Sequence, residues 1–272
     1  MRATTSHLIR ALAPLKHENP LGLPRSGTPP TWGKRPQRRK IAGVDKVIAV
    51  SSAKGGVGKS TVAGKSRGLF TSPESRGSQR LIPLTNYGVK TMSMGYLVGE
   101  AAPVVWRGPM VMKAIQQLLH EVDWGGLDVL VLDLPPGTGD TQLTITQQVI
   151  LDGSVIITTP HTLATKDAIK GINMFKTVDV DILGLVQNMS LFQCPHCHGV
   201  TNVFGSNERV EALCKNQDIE FLGDIPLHPG IGDDGERGKP TVASEPSSDR
   251  ASAFLHIARA LLPKVHLQTD RT

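Results

Sequence analysis

Two stretches of this chain combine residue types and spacing that can do chemistry. The first is Ser51-Ser52-Ala53-Lys54-Gly55-Gly56-Val57-Gly58-Lys59-Ser60-Thr61. Glycines let backbone N–H groups turn inward around phosphate oxygens, where a side chain would block the approach. In such a loop Lys59 reaches the β- and γ-phosphates, and the Ser60 hydroxyl holds Mg²⁺. Ala53 stands where the G-x-x-x-x-G-K-S/T pattern has its first glycine. An acid further along agrees with this reading. Asp133 ends the run Asp128-Val129-Leu130-Val131-Leu132-Asp133 and suits a water-mediated contact with Mg²⁺. The stiff turn Leu134-Pro135-Pro136-Gly137-Thr138-Gly139-Asp140 follows, with Asp140 expected to cap the next helix.

The second stretch is Cys194-Pro195-His196-Cys197-His198-Gly199. Two thiolates at C-x-x-C spacing grip one metal ion from a tight turn, yet they fill half of a tetrahedral site. His196 and His198 offer nitrogen ligands for zinc within one chain. The alternative completion is symmetry: Cys194 and Cys197 from each of two chains make four thiolates, which suit a [4Fe–4S] cluster. Cys214 lies with Val210 and Leu213 on the apolar face of an expected helix and is read as core. A thioredoxin-like redox site fits poorly, because the motif lies far from the first strand–helix unit.

These residues need elements to hold them. Val47-Ile48-Ala49-Val50 reads as a buried strand running into the glycine loop, and Asp128–Asp133 as a second buried strand. Val155–Thr159, Ile182–Val186 and Phe221–Ile225 repeat the pattern. Helices are expected near Thr162–Lys176 and Ser252–Leu262. Strands alternating with helices imply an α/β, doubly wound, mostly parallel sheet with ligands at the strands' carboxyl ends. Asn188, just past a strand, is placed as a base-recognising amide or as an ordinary turn residue.

Charge divides the chain unevenly. Residues 1–40 hold nine Lys/Arg and one acid, Glu18, a balance of +8 that leaves −2 for the rest. A near-neutral body and 4% aromatic residues argue against a nucleic-acid partner. No run approaches the ~20 apolar residues of a spanning helix, so no transmembrane segment is expected. Leu8, Ile9, Leu12 and Leu15 at helical spacing among Arg2, Arg10 and Lys16 give the start the character of a mitochondrial transit peptide. The expected organisation is a transit peptide and linker over 1–40, a nucleotide-binding domain over 41–265 with the cysteine loop inserted near 191–205, and a tail over 266–272.

Lys54 directly before two glycines resembles the deviant Walker-A signature K-G-G-x-G-K-S/T. Further runs are similar to the Mrp-type P-loop ATPases, a branch of the MinD/ParA-like fold: Gly184-Leu185-Val186-Gln187-Asn188-Met189-Ser190, Phe204-Gly205, Gly223-Asp224-Ile225-Pro226-Leu227 and Val105-Trp106-Arg107-Gly108-Pro109-Met110. The leader and Phe192-Gln193 resemble the mitochondrial branch, which delivers [4Fe–4S] clusters for respiratory complex I assembly. The resemblance implies a homodimer with ATP and Mg²⁺ at its interface, Lys54 reaching the partner's nucleotide. It implies catalytic roles for Lys54, Lys59 and Asp133. Nucleotide contacts are implied for Ala53 through Thr61, Asn188 (to adenine) and Pro226. It further implies a cluster on Cys194 and Cys197, iron–sulfur donor and apo-acceptor partners including complex I subunits, and residence in the mitochondrial matrix with a peripheral inner-membrane contact.

One stretch departs from the family. Members follow the phosphate loop with a long helix, a second strand and an acidic loop. Here Val62–Pro83 is broken by Gly64, Gly68, Pro73, Gly77 and Pro83, and Glu74 is its one acid. The resemblance therefore implies that the first helix and second strand are deleted. The lost loop carries the family's water-positioning aspartate, so ATPase activity is expected to be weak or lost. Two rival functions follow from the same residues: a MinD/ParA-like positioning ATPase without metal, and a zinc-binding inactive relative.

Overall fold

The structure is a computed structural model that describes residues 38–64, 80–97 and 108–265. Its elements, in chain order, are β1 (Val44–Ser51), α1 (Lys59–Val62), β2 (Leu84–Asn86), β3 (Val89–Thr91), α2 (Met94–Leu97), α3 (Gly108–His120), β4 (Leu127–Asp133), α4 (Asp140–Gln148), β5 (Gly153–Thr158), α5 (Thr162–Thr177), β6 (Ile182–Asn188), β7 (Phe192–Gln193), β8 (Val200–Thr201), α6 (Glu208–Gln217), β9 (Phe221–Ile225), α7 (Pro229–Glu236), α8 (Thr241–Ser244) and α9 (Asp249–Leu261). Five strands form one parallel sheet in the order β4-β1-β5-β6-β9. The chain leaves β1 for β4 on one side and then crosses back over β1 to β5. That reversal puts a ligand crevice at the carboxyl end of β1.

Both faces of the sheet are covered, as a parallel sheet requires. One core joins Ala49, Ile156 and Leu185 to Ile172 and Phe175 of α5 and Val210 and Leu213 of α6. The other joins Val50, Ile157, Val186 and Ile225 to Val57 of the glycine loop and Ile257 of α9. Leu185 and Val186 fall in different cores because successive strand side chains point to opposite faces. The central strands β5 and β6 are almost wholly buried.

β4 corrects the sequence reading: it is not a buried strand. Asp128 and Val131 are exposed, and only Leu130 among its residues is buried. The cause is position, since β4 is the edge strand and β1 is its one ladder neighbour among the described residues. Asp140 is a second correction. Gly139 occupies the N-cap of α4, and Asp140 is the first helical residue.

α1 is a single turn, closed by Val62 N–H to Gly58 (3.1 Å) and Ala63 N–H to Lys59 (2.9 Å). Residues 65–79 lie outside the described residues, as do the leader to residue 37, Val105–Arg107 and the tail from 266. Leu81 pairs in parallel with Val122 just before β4. A two-stranded hairpin, β2–β3, follows.

Candidate functional site

The glycine loop is shaped by its own backbone. Gly56 and Gly58 take φ of 81° and 77°, where L side chains are strained. A Cβ added at Gly55 or Gly56 would meet nothing within 4 Å, so open space adjoins the loop at both positions. The Ser52 hydroxyl donates to the Lys54 carbonyl (3.0 Å), closing the turn. Lys54 itself is half-buried in this turn, and Thr61 is exposed.

Strand register then brings the second motif to the first. Val50 lies opposite Asp133 in the β1–β4 ladder, which sets the acid beside the loop. Lys59 is 8% exposed and its Nζ pairs with one Asp133 carboxylate oxygen. The Ser60 hydroxyl donates to the other at 2.5 Å. Gly137 N–H donates to Ser52 O at 3.0 Å, so the Pro-Pro-Gly turn is tied to the loop. Gln142 Nε2 strengthens that tie by donating to the Pro135 carbonyl, and it reaches Ser51 Oγ at 3.4 Å. Nothing in the sequence reading singled out Gln142. Its signal is a polar side chain on a helix face that turns inward, here 1% exposed. The open cradle, the buried cation and the paired hard oxygens of Ser60 and Asp133 fit a nucleoside phosphate with Mg²⁺.

Asn188 approaches from across β5. Its Nδ2 donates to Val57 O (2.9 Å), and its Oδ1 accepts from Met189 N–H (3.0 Å). The amide sits so close to Gly58 that a Cβ there would collide with Nδ2. Pro226 follows β9 and is half-buried. The loop it opens is pinned twice. Leu227 N–H donates to Leu191 O at 2.7 Å, and His228 Nδ1 accepts from Gly230 N–H while facing Arg250 Nη1 at 2.9 Å. Arg250 is held in turn by Glu245 at 2.6 Å.

The cysteine pair occupies the turn of the β7–β8 hairpin, beyond the carboxyl end of β6. His198 N–H donates to Cys194 O (2.9 Å), and Cys194 N–H to Gly199 O (3.0 Å). Cys194 is half-buried and Cys197 exposed. The backbone N–H of Cys197, then that of His196, then the Cys197 thiol hold the Cys194 thiol below its ordinary range. Donors aimed at sulfur favour the thiolate, the form that binds metal. Cys214 behaves oppositely: burial, with the charge of Glu211 second, pushes it up to about 11. Among the described residues no group of three or more His, Cys, Asp or Glu is gathered to hold a metal ion. His196 and His198 therefore do not join the two thiols in a single-chain set.

With this geometry in view, the likeness to known proteins is specific. Residues 65–262 match the family model described as "ParA: NUBPL iron-transfer P-loop NTPase". The chain is 45% identical over 258 positions to the mouse protein named iron-sulfur cluster transfer protein NUBPL, covering 85% of this chain and 81% of that one. Since 85% of 272 residues is about 231, roughly 27 aligned positions of the mouse protein face a gap in this chain. An Arabidopsis thaliana protein, named as an iron-sulfur protein required for NADH dehydrogenase, mitochondrial, is 41% identical over 84% of this chain and 81% of its own. Among solved structures, a nucleotide-binding protein from Archaeoglobus fulgidus in complex with ADP, with cobalt found in it, superposes with a TM-score of 0.63. It is 30% identical, over 79% of this chain and 94% of that one. The chain thus belongs to the NUBPL iron-transfer branch of the ParA-type P-loop NTPases.

Proposed function

We propose that this protein carries a [4Fe–4S] cluster between donor and acceptor proteins, as an ATP-binding homodimer in the mitochondrial matrix. The observation that carries the reading is the Cys194–Cys197 turn: two thiols sit together on one tight hairpin, and among the described residues no third metal-binding side chain joins them. A two-fold axis through the hairpin supplies the other two thiolates, so each cluster joins two chains. The names of the mouse and Arabidopsis relatives support cluster transfer as the task and complex I subunits among the acceptors. Lys54, Lys59, Ser60, Asn188 and Pro226 are the residues assigned to nucleotide, with Ser60 and Asp133 for Mg²⁺.

Bound nucleotide supplies two negatively charged phosphates at the mouth of β1. This chain's own residues neutralise them with Lys59 and the loop's N–H groups, and hold the metal's oxygens with Ser60 and Asp133. Hydrolysis needs a water-positioning acid that the shortened segment after Thr61 does not supply, so turnover is slow or lost while binding remains. Residues 1–40 act as the address, 41–265 as the working domain and 266–272 as a tail.

Anaerobic reconstitution with iron and sulfide tests the reading, followed by metal analysis, absorption spectra and sedimentation. The expected product is a brown dimer with one cluster per two chains. Cys194→Ala and Cys197→Ala chains lose both the iron and the cluster-dependent dimer. A monomer holding one zinc ion defeats the proposal.

A further inference from the structure

Consecutive residues at the end of β6 grip different parts of the site. Asn188 points to the face that holds Val57 and bonds the glycine loop. Gln187 points to the opposite face, as strand alternation requires, and its Nε2 donates to Asn207 Oδ1 at 2.6 Å. Asn207 is the residue before α6, where the chain returns from the cysteine hairpin. Gln187 is fully buried and its Oε1 has no partner among the described residues, so the bond to Asn207 is what orients its amide.

The entry to the hairpin is fastened just as closely. The Ser190 hydroxyl donates to Asp224 Oδ2 at 2.5 Å, Ser190 N–H to Ile225 O at 3.0 Å, and Leu227 N–H to Leu191 O. Both ends of the 191–206 segment are therefore bonded to the carboxyl ends of β6 and β9, and β6 in turn reaches the glycine loop through Asn188. Elsewhere the hairpin makes its own turn and is exposed, with Val200 62% and Val203 53% accessible. A shift at the end of β6 has two routes into this segment. One is covalent, through Met189 and Ser190. The other is the Gln187–Asn207 bond.

We propose that Gln187 and Asn207 are positioning residues that make the cysteine turn respond to nucleotide bound at the glycine loop. The inference rests on the nucleotide reading above and adds to it a named physical link between two sites. Asn188 is the nucleotide-facing half of the joint, Gln187 the cysteine-facing half, and the rigid strand end carries displacement from one to the other. Such a link makes the two sites a coupled pair, with each affecting the other's free energy equally.

The test follows labelling of Cys194 and Cys197 by iodoacetamide in the full, reduced, metal-free chain, with and without Mg-ADP, read by peptide mass spectrometry. ADP affinity is measured on the same samples by calorimetry. In the natural sequence Mg-ADP should slow labelling about fivefold, the low end of coupling between linked sites. Asn207→Ala should cut the response to less than about twofold with ADP affinity within about twofold of the natural chain. Asn207→Asp keeps the acceptor oxygen and should restore the response. Should the alanine chain fold poorly, Asn207→Ser keeps a residue suited to a helix start but is too short to reach Gln187, and should uncouple likewise. A full response in the alanine or serine chain overturns the proposal, as does ADP binding without any change in labelling. A natural chain that binds no ADP refutes the nucleotide reading itself, and this proposal with it.

Discussion

Three glycines of the phosphate loop should rank in stability by backbone geometry alone when each is replaced by alanine. Gly55 has ordinary φ and open space, so Gly55→Ala removes freedom mainly from the unfolded chain. It should stabilise by about 0.4–1 kcal/mol. Gly56 has equal room but φ of 81°, and a left-handed alanine costs about 1–2 kcal/mol. Gly58 adds a collision to the same strain, because its Cβ would displace Asn188 Nδ2 from Val57 O. Loss of that hydrogen bond contributes about 1 kcal/mol more, giving about 2–3 kcal/mol in total. For a domain of this size each kcal/mol moves Tm by about 2–4 °C, so Gly58→Ala should fall by roughly 4–12 °C. Thermal unfolding followed by circular dichroism, without nucleotide, isolates the backbone effect from binding. Gly58→Ala melting within about 2 °C of Gly55→Ala would refute the reasoning, since strain and collision together predict a larger gap.

Other perturbations separate the roles assigned to single side chains. Lys59→Ala should abolish ATP binding in calorimetry, because Lys59 is the buried cation at the loop; unchanged affinity rejects the assignment. Asp133→Asn frees Lys59 from its carboxylate partner, so ADP affinity without Mg²⁺ should hold or rise while its Mg²⁺ dependence disappears. Retained Mg²⁺ dependence in that variant removes Asp133 from the metal site. Replacing His196 and His198 together should leave iron content after reconstitution unchanged, whereas loss of metal would favour histidine ligation. Cys214 gives a pH signature. Its folded thiol is pushed up to about 11 from an ordinary 9.0, so it stays neutral where the unfolded chain ionises. Its stabilising contribution is complete below pH 9 and is lost as pH rises from there through about 11. Cys214→Val should flatten that slope in denaturation measured across the same range.

Much of the site was legible because it follows strand ends. Val47–Val50 and Asp128–Asp133 are apolar runs closed by chemically distinctive residues, and the ladder that sets Val50 beside Asp133 follows from the parallel sheet they imply. The two-thiol half-site was legible from spacing, and its turn forms with local hydrogen bonds. What escaped the sequence depends on neighbours. Composition makes Asp128–Asp133 look buried, and only the sheet order reveals an edge. Gln142 and Gln187 read as ordinary polar residues until the fold buries them at 1% and 0% exposure. Asn207 carries no motif, and its partner sits twenty positions away on another element.

On the proposed function, the short α1 separates binding from turnover. A long helix after the phosphate loop would add its dipole to the anion site, and a single turn adds little of it. The groups that remain come from elsewhere: Lys59 and the loop glycines after β1, Asp133 from β4, Asn188 from β6 and Pro226 after β9. All of these strands lie in one continuous parallel sheet, and their mutual register is set by the ladders that join β4 to β1, β1 to β5, β5 to β6 and β6 to β9. The cysteine hairpin hangs from β6 and β9 in the same way, through Gln187, Ser190 and Leu227. Under the function proposed above, a shorter chain after Thr61 costs the groups that position water while sparing those assigned to phosphate and thiolate. A protein built this way can retain nucleotide and cluster together and still lack fast hydrolysis. On the proposed function its nucleotide acts as a bound ligand that sets the strand ends, rather than as a fuel consumed at each transfer.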